Sequence, residues 1–105
     1  MRIGVDLIDI NSFPSFVEGK EISFFSYNFT SREISFAKRQ RNPDLEFARL
    51  FSIKESLIKA DNSNRDKNFN KIDLLSIDDK VTYENFQIST SVEKNMIMSF
   101  VMSSF

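Results

Sequence analysis

Cysteine, histidine and tryptophan are all absent from this chain. Without cysteine there is no disulfide, no thiolate metal site and no cysteine nucleophile. Without histidine the commonest general base is missing, and with it every Ser-His-Asp triad and every histidine-ligated zinc. A metal site here has only oxygen ligands to draw on, which points to magnesium, manganese or calcium. No apolar run approaches the roughly 18 residues needed to cross a bilayer. The opening residues, MRIGVDLIDI, carry acids where an export signal would have an apolar centre. The expectation is a cytoplasmic protein without membrane insertion. Charge of one sign is also scarce: the net charge of −1 argues against a general nucleic-acid binder. The balance is uneven, however. Residues 32–71 hold ten basic and six acidic side chains and the remainder four basic and nine acidic, so the middle is suited to attract a compact polyanion.

What is present suffices for one domain spanning residues 1–105. The chain is 41% hydrophobic and contains twelve phenylalanines. A domain of this size buries only about 60–68% of its unfolded surface, so association would add stability.

The most strongly patterned stretch is residues 47–60, FARLFSIKESLIKA. Phe47, Leu50, Phe51, Ile53, Leu57 and Ile58 follow the three-and-four spacing of an amphipathic helix. Glu55 borders that apolar stripe, where a carboxylate is partly desolvated and wants a cation. Lys59, four residues on, is one candidate; such a pair is worth only about 0.2–0.5 kcal/mol and is common on ordinary helices.

Residues 3–10 read as a strand with apolar side chains on both faces, the mark of a strand covered on both sides. Asp6 is out of place there, since a buried carboxylate costs several kcal/mol unless paired or holding a metal. Gly4, on the same face, leaves room for a ligand or backbone beside it. Asn11 and Ser12 can cap a short helix with Pro14 in its first turn, contacts at Phe13, Phe16 and Val17, and an end at Gly19. Residues 21–29 form an aromatic-rich connection of undecided type. Thr30 and Glu33 make a capping box that starts a helix to about Arg41. Asn42 and Pro43 break it, and Asp44 caps the long helix that ends near Ala60. Residues 61–70 read as a polar surface loop. Strands follow at 72–77, 81–86, 87–92 and 96–102, with turns at 78–80 and 93–95. Strand, helices, then strands indicates an α+β fold, an antiparallel sheet with helices packed on it. If the long helix lies on the sheet, Asp6 and Glu55 can meet, and two adjacent carboxylates repel unless a cation lies between them. Magnesium is held by one or two carboxylates, with water and substrate phosphate oxygens completing its shell.

These residues resemble the 4′-phosphopantetheinyl transferases, and the small holo-acyl-carrier-protein synthase branch in particular. Gly4-Val5-Asp6-Leu7-Ile8-Asp9-Ile10 is similar to the family's G-I-D-I-V-E-I, Phe29 to Glu33 to its F-T-x-x-E, Phe51 to Ala60 to its F-A-A-K-E-A-x-x-K-A, and Ile88-Ser89-Thr90-Ser91 to its I-S-x-S-H. The resemblance covers nearly the whole chain, and K-E-x-x-x-K after an aromatic contributes most. It implies that Asp6 and Glu55 are magnesium ligands and that Lys59 meets the phosphate at the reacting centre. It implies that Lys54 lines the coenzyme A site, and Arg49, one residue before the family's usual arginine position, is the expected further cofactor-binding residue. The reaction it implies moves phosphopantetheine from coenzyme A to a serine of an apo acyl carrier protein, the serine being activated by Glu55 directly or through a metal-bound water. It further implies a homotrimer with sites between subunits.

The chain departs from the family in several places. Val92 stands where the family has histidine. Leu50 occupies the usual arginine position, with Arg49 one residue early. Asp61-Asn62-Ser63-Asn64 replaces a glycine-rich turn, and Asp78-Asp79-Lys80 a longer D-x-x-G-K-P turn. Residues 12–18 lack the basic side chains that grip an acidic carrier. A non-catalytic relative, serving as a carrier-binding or assembly module, is the alternative these losses raise.

Overall fold

The computed structural model describes residues 1–64, 67–77 and 80–104. In chain order its main elements are strand β1 (Arg2–Asp9), helices α1 (Ile22–Asn28), α2 (Ser31–Lys38) and α3 (Pro43–Ala60), then strands β2 (Leu75–Ile77), β3 (Lys80–Thr82), β4 (Gln87–Glu93) and β5 (Met96–Ser103). The first and last strands meet: β5 is the centre of a three-stranded antiparallel sheet ordered β1-β5-β4, and β2 and β3 form a separate two-stranded ribbon. This is the α+β arrangement expected from the order of elements.

Helix α3 lies on one face of the sheet, against β1 and β5. Its Phe47, Leu50, Ile53 and Leu57 are fully buried and share one core cluster with Val101 of β5 and with Phe25 and Phe29. Burial of each such side chain contributes about 1.5–3 kcal/mol, so this stripe accounts for why α3 docks there. Gly4 sets how closely it docks. A Cβ on Gly4 would sit 1.9 Å from the carbonyl oxygen of Ser56. The space the sequence left beside Gly4 is filled by helix backbone.

The other face of the sheet is open. Ile3, Val5 and Leu7 are 49%, 45% and 61% exposed and Met98 is 45% exposed. Antiparallel register sets Leu7 opposite Met98, Val5 opposite Phe100 and Ile3 opposite Met102. In the single chain, then, β1 is covered on one side and not on both as its pattern suggested. The alternation itself is intact: Gly4 and Asp6 face the helix.

Residues 12–19 do not form the expected helix. A 3-10 turn, Ile10–Ser12, is capped by Asp9, whose side chain accepts from the Asn11 amide. The chain then bends around Asp44, which accepts from Ser15 Oγ at 2.6 Å and from the amides of Phe16 and Val17 at 2.8 and 3.2 Å. Those amides are satisfied from outside, which removes the need for a local helix. Phe16 packs face to tilted face on Phe47 at 4.7 Å, but Val17 is exposed. Because Asp44 is engaged in this way, Asn42 caps α3 by accepting from the Leu45 amide, with Pro43 in the first turn.

The undecided stretch 21–29 is helix α1, entered through Glu21 in the left-handed region (φ 53°) with no side-chain cap. The capping box of α2 forms as read, but the helix ends at Lys38. The 61–70 segment contains 3-10 turns at Asn62–Asn64 and Phe69–Lys71. Strands β2 and β3 are shorter than expected. Their connecting residues Asp78 and Asp79, and Arg65 and Asp66 of the loop, lie outside the described residues. The β4–β5 turn is carried by Lys94 at φ 56° and Asn95.

Candidate active site

Asp6 projects from the helix-facing side of β1, opposite Ser99 of β5. It is mostly buried, and both of its oxygens are bonded. Oδ1 accepts from Lys59 Nζ at 3.0 Å and Oδ2 from Ser52 Oγ at 3.1 Å. Lys59 also donates to the carbonyl of Val5 at 3.2 Å, and its side chain is half exposed. Two of its three protons are thus engaged and one is left for a further acceptor.

Glu55 stands one helical turn before Lys59 and within electrostatic reach of Asp6. Burial pushes its carboxyl above the ordinary glutamate range and the charge of Asp6 raises it further, while Lys59 opposes the rise. The structure therefore brings Asp6, Glu55 and Lys59 to one place, the crossing of α3 over β1. Two carboxylates held together, with one of them reluctant to ionise, are what a divalent cation relieves. The donor set is hard oxygen and suits magnesium. Among the described residues no cluster of three acidic, histidine or cysteine side chains is available to hold a metal. The protein would supply two ligands, and water or substrate phosphate the rest.

Lys54 is elsewhere. Its side chain is completely buried, and its ammonium donates to Glu33 Oε1 at 2.6 Å, to the carbonyl of Asn28 at 2.8 Å and to that of Phe69 at 2.7 Å. It also lies 5.1 Å from the ring centroid of Phe29. All three protons are used inside the protein, so none is offered to a coenzyme phosphate. Glu33 in turn accepts from the amides of Thr30 and Leu74. Burial pushes the Glu33 carboxyl up and the Lys54 ammonium down, and their mutual attraction offsets both. This pair clasps the end of α1, the start of α2 and the segment before β2. The expectation that Lys54 lines the coenzyme site gives way here, because a neighbouring helix and loop have claimed its charge.

Arg49 is not beside the carboxylates either. It pairs with Glu46 at 3.0 Å and lines a polar recess of about 250 Å³ together with Lys80, Ser89 and Thr90. Its Nε is buried without a hydrogen-bond partner among the described residues. The Ile88-Ser89-Thr90 part of the late motif thus borders a cationic recess on β4 whose lining does not include Asp6.

Sequence reasoning missed Ser52 and Ser99. The available signal was serine at 52 and 56, polar residues four apart inside a helix face otherwise buried, where the resembling motif has alanine.

Residues 2–99 match the model of the 4′-phosphopantetheinyl transferase superfamily, and the chain belongs to that family, as a diverged member of its holo-acyl-carrier-protein synthase branch. It is 31% identical over 106 residues to a holo-[acyl-carrier-protein] synthase of Pelagibacter ubique, spanning all of this chain and 80% of that protein. It is 37% identical over 101 residues to a synthase of the same name from Mycoplasma mobile, spanning 95% of this chain and 86% of that one. An ACPS–CoA complex from Chronobacterium ammoniagenes shares the fold with a TM-score of 0.77 at 20% identity, over 95% of this chain and 93% of that chain. Among the described residues no helix is long and apolar enough to cross a membrane.

Proposed function

We propose that residues 1–105 act as a holo-acyl-carrier-protein synthase, transferring 4′-phosphopantetheine from coenzyme A to a serine hydroxyl of an apo acyl carrier protein. The observation that carries this reading is the juxtaposition of Asp6, Glu55 and Lys59 in a chain of this family. Asp6 and Glu55 would hold magnesium, which when bound polarises the pyrophosphate and neutralises charge on the departing adenosine 3′,5′-bisphosphate. Lys59, with one proton uncommitted, donates to an oxygen of the phosphate under attack. Glu55 is the group suited to take the proton of the carrier serine, directly or through a water, as the serine oxygen bonds to phosphorus and the bond to adenosine 3′,5′-bisphosphate breaks. The remaining rate comes from holding the two large substrates in register.

A homotrimer with sites between subunits fits the same reading. The open sheet face bearing Val5, Leu7 and Met98 is the apolar area left for association. Arg49 and Lys80 line a recess separate from the carboxylates, and an interface would allow one protomer's recess to face another's Asp6. In that arrangement Arg49 meets a coenzyme phosphate. A cytoplasmic location accords with these substrates.

The test is to mix the protein with coenzyme A, magnesium and apo carrier and weigh the carrier by mass spectrometry. A phosphopantetheine mass gain that disappears in Asp6→Ala and Glu55→Ala supports the proposal. No gain with any carrier from a folded protein refutes it and favours a carrier-binding module.

A further inference from the structure

Three serines behind Asp6 do more than fill space. Ser52, Ser56 and Ser99 have no exposed surface, and they lie where α3 comes closest to the sheet. Small side chains are needed there, but alanine would serve as well, and a buried hydroxyl costs free energy unless it is bonded. All three are bonded, to one another. Ser52 Oγ is 2.8 Å from Ser99 Oγ, Ser99 Oγ also donates to the Ser52 carbonyl at 2.9 Å, and Ser56 Oγ contacts Ser99 Oγ and donates more distantly to the Ser99 carbonyl at 3.4 Å.

Each hydroxyl has a single proton, and this fixes the direction of the chain. Ser52 gives its proton to the Asp6 carboxylate, which has none to offer when ionised. Ser52 must therefore accept from Ser99. Ser99, its proton shared between the Ser52 hydroxyl and carbonyl, must accept from Ser56. The row ends on Asp6 Oδ2, while the Ser99 and Ser56 hydroxyls also donate to the Ser52 and Ser99 carbonyls, and successive links polarise one another.

We propose that Ser52 is a positioning residue for Asp6, held in its donor state by Ser99 and Ser56. The inference rests on the reading of Asp6 and Glu55 as a divalent-ion pair. Lys59 holds the other oxygen of Asp6, but Lys59 is half exposed and is the group that would turn to a substrate phosphate. When it does, Ser52 is the buried contact that still holds the Asp6 carboxylate in one orientation. The lone pairs left on Asp6 then point in one direction before any ion arrives, and less ordering is required on binding.

The experiment uses the intact chain, with Mn²⁺ as the probe and electron paramagnetic resonance to count free ion, beside thermal unfolding of each variant. Ser52→Ala fills the same space without the hydroxyl. The expected result is a roughly tenfold weaker Mn²⁺ dissociation constant, as for loss of an outer contact to a metal ligand, at a melting temperature close to that of the parent. In the transfer assay the magnesium concentration for half-maximal rate rises while the rate at saturating magnesium is retained, a split that general loosening would not produce. Ser52→Ala binding Mn²⁺ as tightly as the parent overturns the proposal. Should Ser52→Ala fail to fold, Ser99→Ala removes the donor to Ser52 without touching Asp6. Weaker Mn²⁺ binding there supports the proposal and unchanged binding overturns it. If the parent chain itself binds no Mn²⁺, the two-carboxylate reading fails and takes this inference with it, a result distinct from failure of the serine variants alone.

Discussion

Gly4→Ala tests how the site depends on the closeness of strand and helix. The added Cβ would lie 1.9 Å from the Ser56 carbonyl oxygen, 2.9 Å from its carbon and 3.0 Å from the Ala60 amide nitrogen. All three atoms are helix backbone, so no flexible side chain can swing aside. Reaching an ordinary contact of about 3.4 Å requires β1 and α3 to separate by about 1.5 Å. Overpacking of this kind costs about 1–3 kcal/mol, and rigid backbone on both sides places it at the upper end. For a domain of this size a loss of about 3 kcal/mol lowers the melting temperature by roughly 10–25 °C. Asp6 is two residues along the same face of β1, and its partners Ser52, Glu55 and Lys59 all ride on α3. A displacement near 1 Å at a reacting centre costs on the order of 100-fold in rate. Both readouts should therefore move: the unfolding curve by calorimetry, and transfer measured well below the new melting temperature. A Gly4→Ala protein that melts within about 2 °C of the parent and transfers at the parental rate would refute the reasoning, because it would mean that the strand–helix distance constrains neither stability nor the site.

Other predictions address separate parts of the molecule. Lys54→Met should destabilise by about 3–5 kcal/mol, since it leaves Glu33 buried without its cation; in chemical denaturation, Lys54→Met combined with Glu33→Gln should cost clearly less than the two single changes together. Glu55→Gln should alter how stability without divalent ion depends on pH. Burial and the charge of Asp6 raise the folded-state carboxyl of Glu55 above the ordinary glutamate value, so its contribution to stability is present below the ordinary value and is lost as pH rises through the folded one. The parent should thus lose stability relative to Glu55→Gln on going from pH 4 to pH 8 in chelator, and equal behaviour across that range would count against the burial of Glu55. Val5→Lys places a charge on the open sheet face; on the proposed trimer, light scattering behind size exclusion should report trimer for the parent and monomer for the variant, with transfer lost alongside.

The fold was legible wherever the determinants were local. The capping box of Thr30 and Glu33, the apolar spacing of 47–60 and the alternation of 96–102 each became the expected element. Misreadings arose where a distant group competed with a local signal. Asn11, Ser12 and Pro14 have the chemistry of a helix start, but Asp44, nearly thirty residues on, takes the amides of Phe16 and Val17. Helix α1 was undecided because Glu21 supplies no side-chain cap and the helix is held by packing of its phenylalanines, among them Phe25 on Phe47 at 4.9 Å. The open side of β1 had the composition of a buried one, and a sequence cannot say whether the surface that covers a strand comes from its own chain.

The site shows the same limit at the level of single residues. In K-E-x-x-x-K the two lysines and the glutamate look like one functional unit, and a resemblance carries them over together. A helix turns about 100° per residue, so Lys54 and Glu55 cannot share a direction, whereas Glu55 and Lys59, four apart, do. Once Glu55 faces β1 and Asp6, Lys54 must face the α1–α2 side, where Glu33 and two carbonyls take its charge. The first lysine is then required for the helix to sit where the chemistry needs it, although it is sealed from the substrates. The position of α3 that brings Glu55 to the acid of β1 is the one that sets Lys54 against Glu33.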